Sequence, residues 1–143
     1  MTDNAAQRLT GLISACKDIN GTHLLQGSEL SAADLQALQA QLALAGFYIC
    51  EIDGQAASDE MALVIAIGQA FQFPGYFGRN WNAVDECITD LSWLKANGYV
   101  CLLRSATTLS KANQQGYPVL LDVFQTAADT WRQHGIPFKL MLA

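Results

Sequence analysis

Three short apolar segments, separated by helical patterns, most constrain the fold of this chain. Residues 47–52, 99–103 and 138–142 are dense in apolar side chains, β-branched and aromatic ones among them, which is typical of buried strands. Parallel strands need crossover connections of about a dozen residues or more, and helical segments of that length lie between these strands. The sequence therefore predicts an α/β fold with a three-stranded parallel sheet and helices packed on it.

Helix-start and helix-stop signals place the helices. Ser31 with Asp34 three residues later is typical of a capped helix start, and Gly46 ends that helix. Asp59 and Glu60 suit the acidic first turn of the next helix, and Pro118 suits the first turn of the last one. The predicted helices cover about 5–17, 31–45, 59–71, 80–91, 107–115 and 118–133, and residues 22–25 are predicted to form a short additional strand.

Composition limits the classes of function. The chain has 143 residues, 13 acidic and 8 basic, with a net charge of −5, which disfavours direct nucleic-acid binding and favours a basic partner. Neither a signal peptide nor a membrane-spanning run is predicted, so a cytoplasmic location is expected. The four scattered cysteines are predicted to be buried free thiols, and no cofactor or metal site is expected.

Residues 73–91, FPGYFGRNWNAVDECITDL, contain a helix with two chemically distinct faces. Helical spacing places one apolar group on the inner side and one polar group on the outer side. The inner group is Trp81, Val84, Cys87, Ile88 and Leu91, and the outer group is Asn82, Asp85, Glu86, Thr89 and Asp90. The outer face thus has three carboxylates and no Lys or Arg.

Negative charge is concentrated in this part of the sequence. Residues 51–94 contain seven acids and one base, Arg79, so their net charge is 1 − 7 = −6, against −5 for the whole chain. A solvated acidic face can simply confer solubility. However, the restricted turn Pro74–Gly78 places Tyr76 and Phe77 beside this face, and aromatic residues next to charges are common in binding hot spots. Phe77 can equally be a core residue.

This segment resembles the signature of the barstar family, intracellular inhibitors of barnase-type ribonucleases. The resemblance rests on residues 73–80, FPGYFGRN, and 82–89, NAVDECIT, and on the order of strands and helices over residues 46–143. It implies a monomeric protein inhibitor, not an enzyme, whose partner is a basic ribonuclease or related toxin. Residues 46–143 would form the barstar-like domain, and residues 1–45 a packed N-terminal extension.

The resemblance also implies a partner-binding site. Tyr76 matches the family's interface tyrosine, and Glu86 matches the acid that enters the ribonuclease active site where a substrate phosphate would lie. Asn82 stands in place of an aspartate, Asp85 in place of a tryptophan, and a further interface acid falls in the uncharged region 125–126. The predicted partner-binding residues are Tyr76, Phe77, Arg79, Asn80, Asn82, Asp85, Glu86, Thr89 and Asp90.

Two alternatives remain at this point. In the first, Asp85, Glu86 and Asp90 bind a divalent cation or act as acid and base, but all three share one helix face and no second element supplies ligands. His23 and His134 are far apart and lie in no metal-ligand motif. In the second, the same fold is an interaction module or an immunity protein for a different basic toxin or enzyme, which the departures at Asn82 and Asp85 favour.

Overall fold

The computed structural model describes residues 2–75 and 78–143 of the chain. The strands are β1 (Leu24–Gln26), β2 (Phe47–Asp53), β3 (Gly98–Arg104) and β4 (Phe138–Leu142). The helices are α1 (Thr2–Lys17), α2 (Ala32–Leu44), α3 (Glu60–Ala70), α4 (Trp81–Ile88), α5 (Ala106–Ala112) and α6 (Gly116–Gln133), with a short 3-10 turn at Gly54–Ala56.

The four strands form one parallel sheet in the order β1-β4-β3-β2. The predicted α/β class, the three-stranded parallel core and the additional N-terminal strand are confirmed. β1 pairs with β4, with Leu24 opposite Leu140, and therefore extends the sheet at the β4 edge. The N-terminal segment thus contributes a strand as well as helices.

Local signals fix the beginning and end of α2. Ser31 accepts a hydrogen bond from the Asp34 backbone N–H at 3.1 Å, and the Asp34 carboxylate accepts the Ser31 N–H at 3.4 Å, which completes a capping box. Gly46, with φ +83°, follows the helix in the left-handed conformation that glycine adopts readily. Both features agree with the sequence prediction.

The sequence placed the end of α5 too late. Residues 107–115 were expected to be helical, but α5 ends at Ala112 because Asn113 begins the next turn. The buried Asn113 amide donates to the Ala57 carbonyl at 3.1 Å and accepts the Gly116 N–H at 2.9 Å. This second bond leads directly into α6.

The sheet is buried on both faces. Along β3, Tyr99, Cys101 and Leu103 join a core that also includes side chains of α3, α4 and α6. Val100 and Leu102 point the other way and join a second core with α1 and α2. This two-sided burial explains why β3 is a continuous apolar run rather than an alternating one.

The cysteines are free and buried, as predicted. Cys50 and Cys101, 51 positions apart in the sequence, are direct partners in the pairing of β2 with β3. Burial raises the pKa of the Cys50 thiol well above its ordinary value. Over the described part of the chain, no helix is both long enough and apolar enough to cross a membrane.

Candidate binding surface

Asn80 fixes the start of α4. Its side-chain oxygen accepts the Ala83 backbone N–H at 2.8 Å, and its amide donates to the Gly78 carbonyl at 3.3 Å. The preceding residue, Arg79, has a φ of 55°, so the chain turns sharply before the helix begins. The predicted interface residue Asn80 therefore has a clear structural role as the helix N-cap.

The inner face of α4 is anchored in the core. Val84 and Ile88 are completely buried, and Cys87 is nearly so. The Trp131 indole of α6 donates to the Ile88 backbone carbonyl at 2.9 Å, which ties the last turn of α4 to the longest helix. The outer face is consequently presented on a rigidly held helix.

The outer face of α4 is accessible. Asn82, Glu86 and Asp90 are exposed and follow one another at four-residue intervals, while Asp85 is partly exposed between them. Asn82 and Glu86, both within α4, are therefore neighbours on the helix surface. We refer to Asn82, Asp85, Glu86 and Asp90 as the acidic surface.

The helix is shorter than the sequence indicates. It ends at Ile88 rather than near Leu91, and Leu91 itself has a φ of 45°, which a right-handed helix does not allow. The Thr89 hydroxyl donates to the carbonyls of Asp85 at 2.8 Å and Glu86 at 3.2 Å. Thr89 is thus the C-terminal cap of α4, and its predicted contact with a partner stays a prediction. Asp90 lies in the turn that follows, beyond the helix itself.

The charge on this surface is not neutralised by the described residues. Among residues 2–75 and 78–143, the ion pairs are Arg8–Glu29, Arg104–Glu51 and Arg132–Asp129, and none involves the acidic surface.

Burial raises the pKa of the Cys87 thiol, and the nearby Asp90 and Glu86 carboxylates raise it further. Cys87 therefore stays a protonated packing residue rather than a nucleophile.

The acids of residues 51–94, clustered in sequence, are put to different uses in the fold. Glu51 is held by Arg104 at 2.9 Å, and Asp53 and Asp59 accept backbone N–H groups at the starts of the next helical segments. Arg104 lies 53 positions from Glu51, so no local sequence pattern indicated this pair. The net value of −6 thus overstates the charge of the acidic surface, whose charged residues are Asp85, Glu86 and Asp90.

Besides Asn80, the predicted site residues that precede α4 in the sequence are Tyr76, Phe77 and Arg79. Arg79 is exposed and lines a shallow cavity of about 280 Å³ with Gly75 and the C-terminal end of α3. Tyr76 and Phe77, the predicted aromatic pair, lie outside the described residues. Their predicted contacts with a partner therefore remain predictions.

The described residues contain no group of three or more His, Cys, Asp and Glu side chains placed to hold a metal ion. His134 caps the C-terminal end of α6 and packs against Trp131, with ring centroids 6.0 Å apart. His23 precedes β1, and burial lowers the pKa of its imidazole. The exposed carboxylates of α4 are chemically suited to contact a cationic surface.

No curated protein matches the chain. A sequence model of the family described as "Barstar (barnase inhibitor)" matches residues 47–143, more than half of the chain, and this range includes all of α4 and the loop before it. The chain belongs to the Barstar family.

Proposed function

We propose that this protein inhibits a barnase-type ribonuclease by inserting the acidic surface of α4 into the enzyme's active site. The observation that carries the proposal is the exposed carboxylate of Glu86, which has no ion-pair partner among residues 2–75 and 78–143, on a helix whose opposite side is fixed in the core. Family membership supports an inhibitory role, since the family is described by its inhibition of barnase.

The chemistry of RNA cleavage supplies the mechanism. A ribonuclease binds the scissile phosphate in a pocket of cationic hydrogen-bond donors. A carboxylate accepts charge-assisted hydrogen bonds from the same donors, and a rigid helix presents it without a large ordering cost. Glu86 would then occupy the phosphate position, with Asp85 and Asp90 beside it and Tyr76 making a further contact with the enzyme.

Long-range attraction would assist the encounter. Asp85, Glu86 and Asp90 produce a local negative field on a protein whose net charge is −5. Opposite charges on two partners raise the association rate, and this effect falls as ionic strength increases. A cytoplasmic, monomeric inhibitor that captures a toxic ribonuclease before it degrades cellular RNA fits these properties.

The decisive experiment compares Glu86→Ala with the wild-type chain in an RNA-cleavage inhibition assay with barnase-type ribonucleases. Glu86→Ala should weaken inhibition most, since truncating one partner of a buried, hydrogen-bonded charge pair costs about 2–5 kcal/mol. Asp85→Ala, Asp90→Ala and Tyr76→Ala should follow with smaller losses. The measured quantity is the inhibition constant at low and at physiological salt.

Glu60→Ala provides the matched control, because Glu60 is an exposed acid on α3 and its removal changes the net charge by the same amount. This control should inhibit as strongly as the wild type. Equal inhibition by Glu86→Ala and wild type would refute the assigned role of Glu86. A wild-type chain that inhibits none of the enzymes would refute the proposed function.

A second candidate target follows from two residues. Asn82 and Asp85 differ from the acid and the tryptophan that the family resemblance leads one to expect, so the pattern of charge and apolar area on α4 differs as well. This favours a basic toxin or enzyme other than a close barnase relative. Capture of a non-ribonuclease toxin by the wild-type chain, but not by Glu86→Ala, would support this candidate.

A further inference from the structure

A shallow cavity of about 390 Å³ adjoins the acidic surface at Asp90. It lies between the 90–96 connection, the start of β3 and the C-terminal end of α6. Its walls include Ala96, Tyr99, Trp131 and Ile136, with Asp90 and Lys95 also lining it. We refer to it as the Asp90 cavity.

The walls of the Asp90 cavity are apolar in effect. Tyr99 and Trp131 are its two aromatic residues, but both of their polar atoms are already used within the protein. The Tyr99 hydroxyl donates to the Leu94 carbonyl at 2.7 Å, and the Trp131 indole N–H donates to the Ile88 carbonyl at 2.9 Å. An occupant would therefore gain from apolar contact rather than from hydrogen bonds to these rings.

The lining residues at the entrance have opposite charges. Asp90 is exposed and belongs both to the acidic surface and to the lining of the cavity, so the two adjoin at this residue. The Ser92 hydroxyl lies 3.4 Å from the Asp90 carboxylate, and Lys95 is exposed nearby. A cation is attracted on the Asp90 side and repelled on the Lys95 side, so the entrance favours one orientation of a basic partner.

We propose that the Asp90 cavity receives an apolar side chain of the basic partner while a neighbouring Lys or Arg of that partner pairs with Asp90. The proposal rests on the proposed function for the class of partner, a basic protein. Charge complementarity selects this occupant over a second copy of the chain, which has the same net charge of −5. An apolar contact beside charged pairs is also the usual composition of a binding hot spot.

Two peptides test the cavity without any ribonuclease. The first has phenylalanine flanked on each side by two lysines, and the second has serine in place of the phenylalanine, both with blocked ends. Each is titrated into the isotopically labelled full chain, and the amide signals of Leu91, Ala96 and Tyr99 and the indole signal of Trp131 are followed by NMR. The phenylalanine peptide should bind about five-fold or more tightly than the serine peptide.

Three variants assign this preference to the cavity. Ser92→Trp adds a large side chain at the cavity and should abolish the preference for phenylalanine. Ser28→Trp, which changes another exposed serine in the turn after β1, should keep it. Asp90→Asn should weaken both peptides by a similar factor and leave their ratio unchanged.

Equal binding of the two peptides, or a phenylalanine preference that survives Ser92→Trp in a folded protein, would overturn the proposal. Self-association that displaces the peptide would also overturn it, in favour of a second copy as occupant. The outcome is separable from the inhibition assay. If the chain discriminates between the peptides but inhibits no ribonuclease, the cavity proposal stands and the proposed function is refuted. If the chain inhibits a ribonuclease but does not discriminate between the peptides, only the cavity proposal is refuted.

Discussion

At the scale of single residues, Asn80 and Asn82 have identical side chains two positions apart but different roles. Asn80 caps α4 through its 2.8 Å bond from the Ala83 N–H, whereas Asn82 is exposed in the first turn. Asn80→Ala should lower the free energy of unfolding by about 1 kcal/mol, the usual effect of losing such a cap. Urea denaturation followed by circular dichroism measures this difference.

Asn82→Ala is the matched control for the cap. It removes the same chemical group from the outer face of α4, and the expected change in unfolding free energy is within about 0.5 kcal/mol. In the inhibition assay, Asn82→Ala should weaken inhibition more than Asn80→Ala does, because Asn82 belongs to the acidic surface that would face the partner. Equal destabilisation by both variants would contradict the assignment of Asn80 as the cap.

Lys139 is a second residue whose role depends on its surroundings. It is only 2% exposed, and its Nζ donates to the carbonyls of Asp18, Gly21 and Thr22 at 2.7, 3.3 and 3.0 Å. Burial lowers the pKa of this ammonium group. The three carbonyls compensate the buried charge and fix the connection between α1 and β1.

Lys139→Met keeps most of the buried stem but removes every donor. The three carbonyls lose their charged partner, so we expect a loss of about 2–4 kcal/mol in unfolding free energy. Lys95→Met, which changes an exposed lysine, should have little effect on stability. An unchanged urea midpoint for Lys139→Met would show that the three hydrogen bonds from Lys139 contribute nothing to stability.

At the scale of elements, the sequence predicted what local chemistry determines. The start of α2 depends on Ser31 and Asp34, three residues apart. The strands β2 to β4 could be predicted because each is a continuous apolar run in the sequence. The prediction of the end of α5 was wrong because Asn113 bonds to Ala57, 56 residues earlier. Contacts between distant segments leave no periodicity for sequence reasoning to detect.

The candidate site follows the same rule. The separation of α4 into an inner and an outer face could be predicted, because it depends only on helical spacing. The engagement of Glu51 by Arg104 could not, since it depends on the register of β2 against β3. The Asp90 cavity also combines residues from α6 with the 90–96 connection, which only the fold brings together.

The Glu51–Arg104 pair gives a pH prediction for the sheet. The Arg104 guanidinium hydrogen-bonds Glu51 at 2.9 and 3.1 Å and lowers the pKa of that carboxyl below its ordinary value of 4.5. A lowered pKa in the folded state means that the stabilisation is fully present above pH 4.5 and is lost as the pH falls through the lower, folded-state value. Because both side chains are more than 40% exposed, the effect should be about 0.2–1 kcal/mol.

Unfolding free energies of the wild type and Glu51→Gln, measured between pH 3 and 7, test this prediction. The difference between the two proteins should be constant near neutrality and shrink toward zero at the acid end. Glu86→Gln removes an exposed carboxylate without an ion pair among the described residues. In this variant the stabilisation from the Glu51–Arg104 pair should still be lost as the pH falls, as in the wild type. A wild-type advantage that grows on acidification would contradict the sign.

At the scale of the whole molecule, the N-terminal segment determines whether the sheet has two covered faces. The residues that match the family model begin at 47, but α1 and α2 supply the helical cover of the second core. Val100, Leu102 and Met141 are completely buried there. We propose that residues 1–45 form an extension packed on a domain of residues 46–143 and are required for the stability of that domain.

A chain that begins at Gly46 tests this proposal. It lacks the buried Leu35, Leu38 and Leu42, each worth about 1.5–3 kcal/mol of burial, and it leaves the Lys139 ammonium group without its carbonyl partners. The sum is comparable with the total stability of an ordinary domain, about 5–15 kcal/mol. The truncated chain should therefore lose its cooperative urea transition and bind a dye specific for exposed apolar surface, whereas removal of residues 1–7 should change neither property. A truncated chain with the wild-type urea midpoint would show that residues 46–143 fold independently and that the second face needs no cover.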